Sequence, residues 1–356
     1  MGCAGKVTKK NVCRQVFDEK NAKCRLKVWQ FGILCIFLHK FNVWNAKPDK
    51  QMVTQHKLRF ALFGNIYQDK KSAAIQKVFS CLSKAGAELL VDKEYYEFLC
   101  NCQQFDVPAA QVFSGGDFEA DFAISMGGDG TFLKTACRVG NRSIPILGIN
   151  MGRLGFLADT APNEIDDCIK ALYNDDYAVE SRAVIQVMFS DADEEMKPLS
   201  ELSKQEGAFA LNDVAILKRD SASMISIRAS IDGEYLTTYQ ADGLIVSTPT
   251  GSTAYSLSNG GPIIVPGTGV MLMTAVAPHS LNIRPIVIPD KSVVTFDVES
   301  RSHSFLVAID GRSEKLREGI RLILRRAPYN IRVVKRSGKQ YFSTLREKMM
   351  WGADQR

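Results

Sequence analysis

Residues 124–134 read ISMGGDGTFLK, so three glycines surround one carboxylate, Asp129, where an apolar strand gives way to a helical pattern. A helix N-terminus presents unpaired N–H groups and partial positive charge. Glycines ahead of it let a phosphate approach the backbone with no Cβ in the way. Gly127, Gly128 and Gly130 meet that need. A lone carboxylate repels phosphate, so Asp129 makes sense there if it binds a metal ion or takes a proton from a hydroxyl that attacks phosphate. Lys134 stands one helical turn beyond Gly130, within reach of an anionic group. The plainer alternative is a tight strand-to-helix turn with a capping aspartate, and GGDG by itself does not choose between them.

A second cluster lies at 241–262, ADGLIVSTPTGSTAYSLSNGGP. Leu244-Ile245-Val246 reads as a buried strand. Thr248, Thr250, Ser252, Thr253, Ser256 and Ser258 then crowd a turn with Gly251, Gly260 and Gly261. Many hydroxyls beside flexible backbone suit hydrogen bonding to a sugar or a phosphate. Tyr255 offers a ring to stack on a base or a hydroxyl, and Asp242 a carboxylate for a ribose or a metal. The competing reading is a Ser/Thr-rich surface loop, against which the run Ala254-Tyr255-Ser256-Leu257 counts mildly. A third element, Asn212-Asp213, opens the strand NDVAIL; a carboxylate beside an amide can bridge two ribose hydroxyls, or be a strand-edge pair. No GxxxxGK[ST] occurs, so this is not a P-loop enzyme, and no GxGxxG follows the first strand, leaving hydride-transfer dinucleotide binding without its fingerprint.

The elements that must position these residues change character along the chain. LRFALFG (58–64), Leu89-Leu90-Val91, Phe122–Met126 and 144–150 read as strands; 71–85, 93–102 and Thr131–Val139 read as helices. This alternation predicts an α/β domain with a mainly parallel sheet. From about residue 180 the pattern is strand after strand: 185–189, 207–217, 225–231, 236–240, 244–248, 293–298, 305–309 and 321–326, with Asp232-Gly233 and Asp310-Gly311 as hairpin turns. The expected fold class is therefore α/β plus all-β. The division is a leader at 1–56, an α/β domain at 57–165 joined by 330–356, and a β-rich domain at 166–329. The tail 342–352 is amphipathic and helical.

The 356 residues suit about two domains. The net charge of +6 invites a nucleic-acid reading, but residues 1–51 carry eleven Lys or Arg against three Asp or Glu, so the body is slightly acidic. It has no basic stripe with interleaved aromatics, which argues against nucleic acid. The apolar stretch 28–44 has an uninterrupted core of only Phe31–Leu38, too short to span a membrane, and NVWNAKPDK makes a poor cleavage site. A start at Met52 or an unstructured extension is the expectation. Nine cysteines fit no paired framework or zinc spacing, and the four histidines form no ligand motif, so the thiols read as reduced and the protein as cytoplasmic.

Taken in order, the three motifs closely resemble the NAD kinase family, of the bacterial, ATP- or polyphosphate-dependent type. The residues that carry it are Gly127–Thr131, Asn212-Asp213, Asp242-Gly243 and Thr250–Ser258 through Gly260-Gly261-Pro262, with Pro278–Pro285 and the ending Met350-Trp351-Gly352. The resemblance covers about 57–352. The long Ser/Thr motif is specific, whereas diacylglycerol kinases and phosphofructokinases have corners like GGDGT. The resemblance implies transfer of the terminal phosphate of ATP, or a related donor, to the 2′-hydroxyl of the adenosine ribose of NAD, giving NADP. It implies Asp129 as proton acceptor, Gly130 and Lys134 at the substrate site, and Asn212 and Asp213 on a ribose of NAD. Further substrate contacts fall to Asp242, Thr250, Thr253, Ala254, Tyr255, Ser256, Leu257 and Ser258. A divalent cation, Mg²⁺ foremost, and a homo-oligomer, dimer or tetramer, are also implied, with no nucleic acid and no membrane. The resemblance also implies an α/β domain plus a β-sandwich domain with the active site between them, the tail returning to the first domain. Two positions depart from many relatives: Arg312 stands where they carry Gln, open to a phosphate contact or an altered hold on substrate or donor, and Asp213 where they carry Glu. A lipid kinase of the diacylglycerol type and a non-catalytic NAD-binding module are the rivals.

Overall fold

The computed structural model describes residues 57–66, 72–101, 105–108, 110–152, 154–191, 196–199, 208–220, 223–336 and 341–352. The leader at 1–56, with its expected start at Met52, lies outside the described residues. The chain first lays down β1 (Arg59–Gly64), α1 (Ser72–Lys84), β2 (Glu88–Asp92), α2 (Lys93–Asn101), β3 (Ala110–Phe113), β4 (Phe122–Gly127), α3 (Asp129–Val139), β5 (Ile146–Asn150) and α4 (Ile165–Tyr173). These strands are parallel, in the order β3-β2-β1-β4-β5. Both faces are covered, and β4 accordingly reads as an unbroken buried run. One face holds Phe60, Leu62, Ile124 and the inner sides of α1, α2 and α4; the other holds Ala61, Phe63 and α3. The α3 helix buries Phe132, Thr135, Ala136 and Val139, a spacing that marks one helical stripe.

The strand order reverses direction between β1 and β4. In open parallel sheets ligands bind outside the carboxyl ends of the strands at such a switch point. The register aligns Gly64 with Met126 and Gly127 with Asn150, so the ends of β1, β4 and β5 open together, and the glycine corner sits there.

The second half is antiparallel: β6 (Tyr177–Asp191), β7 (Lys197–Pro198), β8 (Phe209–Ala210), β9 (Asp213–Lys218), β10 (Ile225–Ile231), β11 (Glu234–Ala241), β12 (Gly243–Ser247), α5 (Tyr255–Ser258), β13 (Val270–Val276), β14 (Ile286–Pro289), β15 (Val294–Glu299), β16 (Ser304–Ile309), β17 (Arg312–Arg317) and β18 (Ile320–Arg336), before α6 (Tyr341–Met349). A six-stranded sheet runs β14-β13-β12-β9-β16-β17. Its inner side chains, such as Val214, Leu244, Met273 and Phe305, share a core with Ile227, Phe296 and Leu322 from the facing sheet. That is a sandwich, and the α/β plus all-β architecture is as expected.

The strand β18 joins the two halves. Its early residues pair with β15, Val333 pairs in parallel with Ile146 of β5, and β6 lies antiparallel along its length. The sequence pattern places a strand only at 321–326; a bulge between Arg326 and Asn330 interrupts the alternation and hides the rest. The run expected at 207–217 is instead β8 and β9, broken at Leu211-Asn212. The tail returns to the first sheet's ligand end, where the Tyr341 ring lies 6.3 Å from that of Phe156. Among the described residues no helix is long and apolar enough to cross a membrane.

Candidate active site

Gly127 has a packing reason to be glycine, since a Cβ there would fall 2.2 Å from Thr131 Oγ1. Gly128 and Gly130 have none: open space within 4 Å surrounds the place of each missing Cβ. Side chains are thus absent where the protein has room for them. Gly128 caps α3 with extended backbone and no side-chain hydrogen bond, leaving the helix end bare. Bare N–H groups at the positive end of a helix suit an anion. A cavity of about 480 Å³ opens over this end, lined by Gly128, Gly130, Lys134, Arg138 and Arg312 and, just after β1, Asn65. Lys134 and Arg312, expected at the substrate site from opposite ends of the sequence, share this cavity.

Asp129 points elsewhere. Its Oδ2 accepts the N–H of Phe156 at 2.9 Å, and its Oδ1 those of Leu157 and Ala158 at 3.0 and 3.1 Å. Lys348 Nζ of α6 lies 3.2 Å from Oδ2. Gly155 makes room for this turn, because a Cβ there would fall 2.0 Å from Asp129 Oδ1. Burial pushes the carboxyl up, but the Ala158 N–H, the Lys348 ammonium and the N–H groups of Phe156 and Leu157 outweigh it and hold the group below the usual carboxylate range. Asp129 is an ionised, fixed acceptor at neutral pH.

The other motifs meet around Asp310. Its carboxylate accepts the N–H groups of Leu211 and Asn212 at 2.8 Å each and of Asp213 at 3.2 Å, which is why the strand breaks there. The Asn212 carbonyl takes the Thr248 N–H at 2.9 Å, and Gly251 lies so close that a Cβ would be 2.1 Å from the same oxygen. Asp213 accepts the Tyr255 N–H; burial first and the Asp310 charge second nonetheless push its carboxyl up to about 7. Burial likewise raises Asp310, against its amide partners and Arg312. Arg312 donates to Cys137 Sγ, to the Phe209 carbonyl and to the Ile309 carbonyl at 3.0, 3.2 and 3.3 Å. Asn212, Asp213, Thr250, Tyr255 and Arg312 thus belong to one assembly.

Within the Ser/Thr cluster the hydroxyls divide. Ser252 donates to the Pro249 carbonyl at 2.7 Å, and Ser256 pairs with Thr274 at 2.8 Å; both are fully buried and hold the loop. Thr253 reaches the Thr250 carbonyl at 3.4 Å. Thr253 and Leu257 are half-buried, Ala254 likewise, and Tyr255 and Ser258 more open. Asp242 is not brought to this place. It lies at the opposite end of the five-residue β12, roughly 17 Å along the strand, paired with Lys218 at 2.7 Å.

The sequence motifs did not reveal several residues of the site. The turn 155–158, Lys348 and the amide-capping carboxylate of Asp310 carry no local signature. Arg182 is another: it is 4% exposed, bonds Thr250 Oγ1 at 3.4 Å and pairs with Glu180. Among the described residues no three His, Cys, Asp or Glu side chains converge to hold a metal ion.

A family model described as the ATP-NAD kinase N-terminal domain matches residues 60–177, and one described as the ATP-NAD kinase C-terminal domain matches 211–336. The chain belongs to the NAD kinase family. It is 56% identical over 299 residues to an NAD kinase of Bacteroides fragilis, covering 84% of this chain and 100% of that one. It is 39% identical over 295 residues to an NAD kinase of Porphyromonas gingivalis, covering 83% and 98%. In fold it is similar to yeast NADH kinase complexed with NADH, at 23% identity and a TM-score of 0.73 over 84% of this chain and 89% of that one. An NAD kinase from Archaeoglobus fulgidus in complex with ATP is also similar, at 23% identity and a TM-score of 0.63 over 82% and 99%. Both family models fall on the described fold: the first spans β1 to the start of β6 and contains the glycine corner, and the second contains Asn212-Asp213, the Ser/Thr cluster and Arg312.

Proposed function

We propose that this chain transfers the terminal phosphate of ATP, or of polyphosphate, to the 2′-hydroxyl of the adenosine ribose of NAD, giving NADP. The observation that carries the reading is the corner itself: helix N–H groups left open by glycines that packing does not demand, one residue from an ionised carboxylate held by three amides. Donor phosphates lie on the open end of α3, with Lys134, Arg138 and Arg312 around them. Asp129 accepts the hydrogen bond of the ribose hydroxyl. The hydroxyl oxygen forms the new bond to the terminal phosphorus, the bond from that phosphorus to the leaving phosphate oxygen breaks, and the proton passes to Asp129. Such a site works by positioning and charge more than by covalent chemistry.

Asn212 and Asp213 take a ribose of NAD, and the segment Thr253–Ser258 the neighbouring parts of the dinucleotide. Asp242 contacts a more distant part of the substrate or assembly. A divalent cation, Mg²⁺ foremost, would be held mainly by the donor phosphates, with few protein groups, and would supply neutralisation of phosphate charge. The protein acts in the cytoplasm as a homo-oligomer, dimer or tetramer, which light scattering tests. The lipid-kinase reading lacks a role for the 211–336 match, and the idle-module reading lacks one for the amide-held Asp129.

The test is NADP formation from NAD and ATP with Mg²⁺, compared between the full chain and a chain beginning at Met52. Product from wild type is expected; NAD binding with no product across donors and divalent ions would replace the reading with a binding module.

A further inference from the structure

Asp129 has about four lone-pair positions, as any carboxylate does, and the protein fills all of them. Oδ1 holds Leu157 and Ala158, and Oδ2 holds Phe156 and Lys348. A hydroxyl brought to Asp129 finds an acceptor only where one partner withdraws. The three amides are consecutive in one turn, closed by the Gly155 N–H on the Ala158 carbonyl at 3.1 Å. None of them leaves alone. Lys348 can leave: it is a flexible side chain, 32% exposed, reaching in from α6. Its ammonium also lies 4.5 Å above the centre of the Phe156 ring, which in turn faces Tyr341 at the start of the same helix. The helix thus delivers the cation to one place.

We propose that Lys348 is a further catalytic residue of the phosphoryl transfer: it fills the fourth acceptor position of Asp129, yields it to the substrate hydroxyl, and turns its ammonium onto the phosphoryl group in transit. This rests on the reading of Asp129 as the partner of the ribose hydroxyl. The distances are short enough. The attacking oxygen takes the position Lys348 occupies on Asp129, and a phosphorus in near-attack geometry sits about 3–3.5 Å from that oxygen. The phosphoryl oxygens then fall within a small rotation of the lysine stem. Charge spread over those oxygens is what a positioned cation stabilises. A tail lysine that merely pins its helix through a part-exposed ion pair would matter little, and kinetics separate the two roles.

The experiment uses the full chain with K348M and K348R, reading steady-state NADP formation, NAD affinity by calorimetry and thermal unfolding. Removing the ammonium is expected to lower kcat roughly a hundredfold while NAD binds as well as in wild type or more tightly, because the placeholder is gone, and the melting temperature holds. Arginine restores part of kcat. A K348M kcat within about twofold of wild type would overturn the proposal. So would a loss of kcat that merely follows weaker NAD binding or a lower melting temperature, which marks a structural strap. Wild-type chain that forms no NADP overturns the kinase reading instead.

Discussion

Asp129 and Asp310 are built alike and behave in opposite ways. Each carboxylate accepts three consecutive backbone N–H groups, from 156–158 in one case and 211–213 in the other. Asp129 is held below the usual carboxylate range, whereas Asp310 is pushed above it. Three amides therefore fix where a carboxylate points without deciding whether it is charged. Burial raises both; the sign is settled by how far each carboxylate's amides and neighbouring cation outweigh that burial. Asp129 keeps part of its side chain exposed and has the Lys348 ammonium beside it. Asp310 lies deeper, so burial outweighs its three amides and Arg312, and its charge helps push Asp213 up to about 7. One cap keeps an acceptor ionised at the glycine corner; the other folds a hairpin over Asn212-Asp213 and leaves two carboxyls raised by burial.

The largest expected break in this comparison comes from Asp129→Asn. It keeps the size but makes half the group a donor facing amide donors, and NADP formation should fall roughly a thousandfold in a protein that still melts cooperatively. Near-normal turnover would remove Asp129 from the chemistry. Next is Gly155→Ala, which keeps the carboxylate but forces it to shift, because the new Cβ would fall 2.0 Å from Oδ1. Misplacing an acceptor by an ångström costs on the order of a hundredfold in rate, and kcat rather than NAD affinity should carry the loss.

Asp213→Asn addresses the other cap through pH. The Asp213 carboxyl titrates at about 7 in the folded chain and at ~3.9 when unfolded. The native state therefore binds the extra proton between those values. That contribution to stability is complete below the lower value and is lost as pH rises towards 7. Melting temperatures of wild type should fall across this window and those of Asp213→Asn should fall less; parallel profiles would place the titration elsewhere. The smallest effect is expected from Arg312→Gln. Losing guanidinium bonds to the Phe209 and Ile309 carbonyls should cost about 1 kcal/mol in denaturant unfolding. Loss of the cation should raise KM for ATP several-fold with kcat unchanged, and an unaltered KM would leave Arg312 a structural residue.

The sequence made the corner, the Ser/Thr turn and Asn212-Asp213 legible because each is a local device. Glycines, hydroxyls and an amide-carboxylate pair announce their chemistry within a few residues. Their scaffold was legible where periodicity was clean, as in β1, β4 and α3. It failed where a ladder is irregular: β18 is interrupted by a bulge, and β8 and β9 are parted by the Asp310 carboxylate, about a hundred residues away in sequence. The unseen parts of the site share that trait. Lys348 meets Asp129 across 219 residues, and Arg182 meets Thr250 across 68. A lysine on an amphipathic tail and an arginine in a strand look ordinary until the topology brings them to a partner. Gly155 is informative only once the Asp129 carboxylate is seen against it.

The placement of β18 also bears on how the molecule is made. Ribosomes deliver a chain from its N-terminus, and domains tend to fold as they emerge. The parallel sheet of the first half cannot follow that order to completion, because the strand that lies beside β5 is encoded at 320–336 and the helix bearing Lys348 after it. A nascent chain that already exposes Asp129 still lacks both the strand beside β5 and the Lys348 cation. A chain released before residue 320 therefore carries the glycine corner and the Ser/Thr turn without β18 and the Lys348 contact to Asp129.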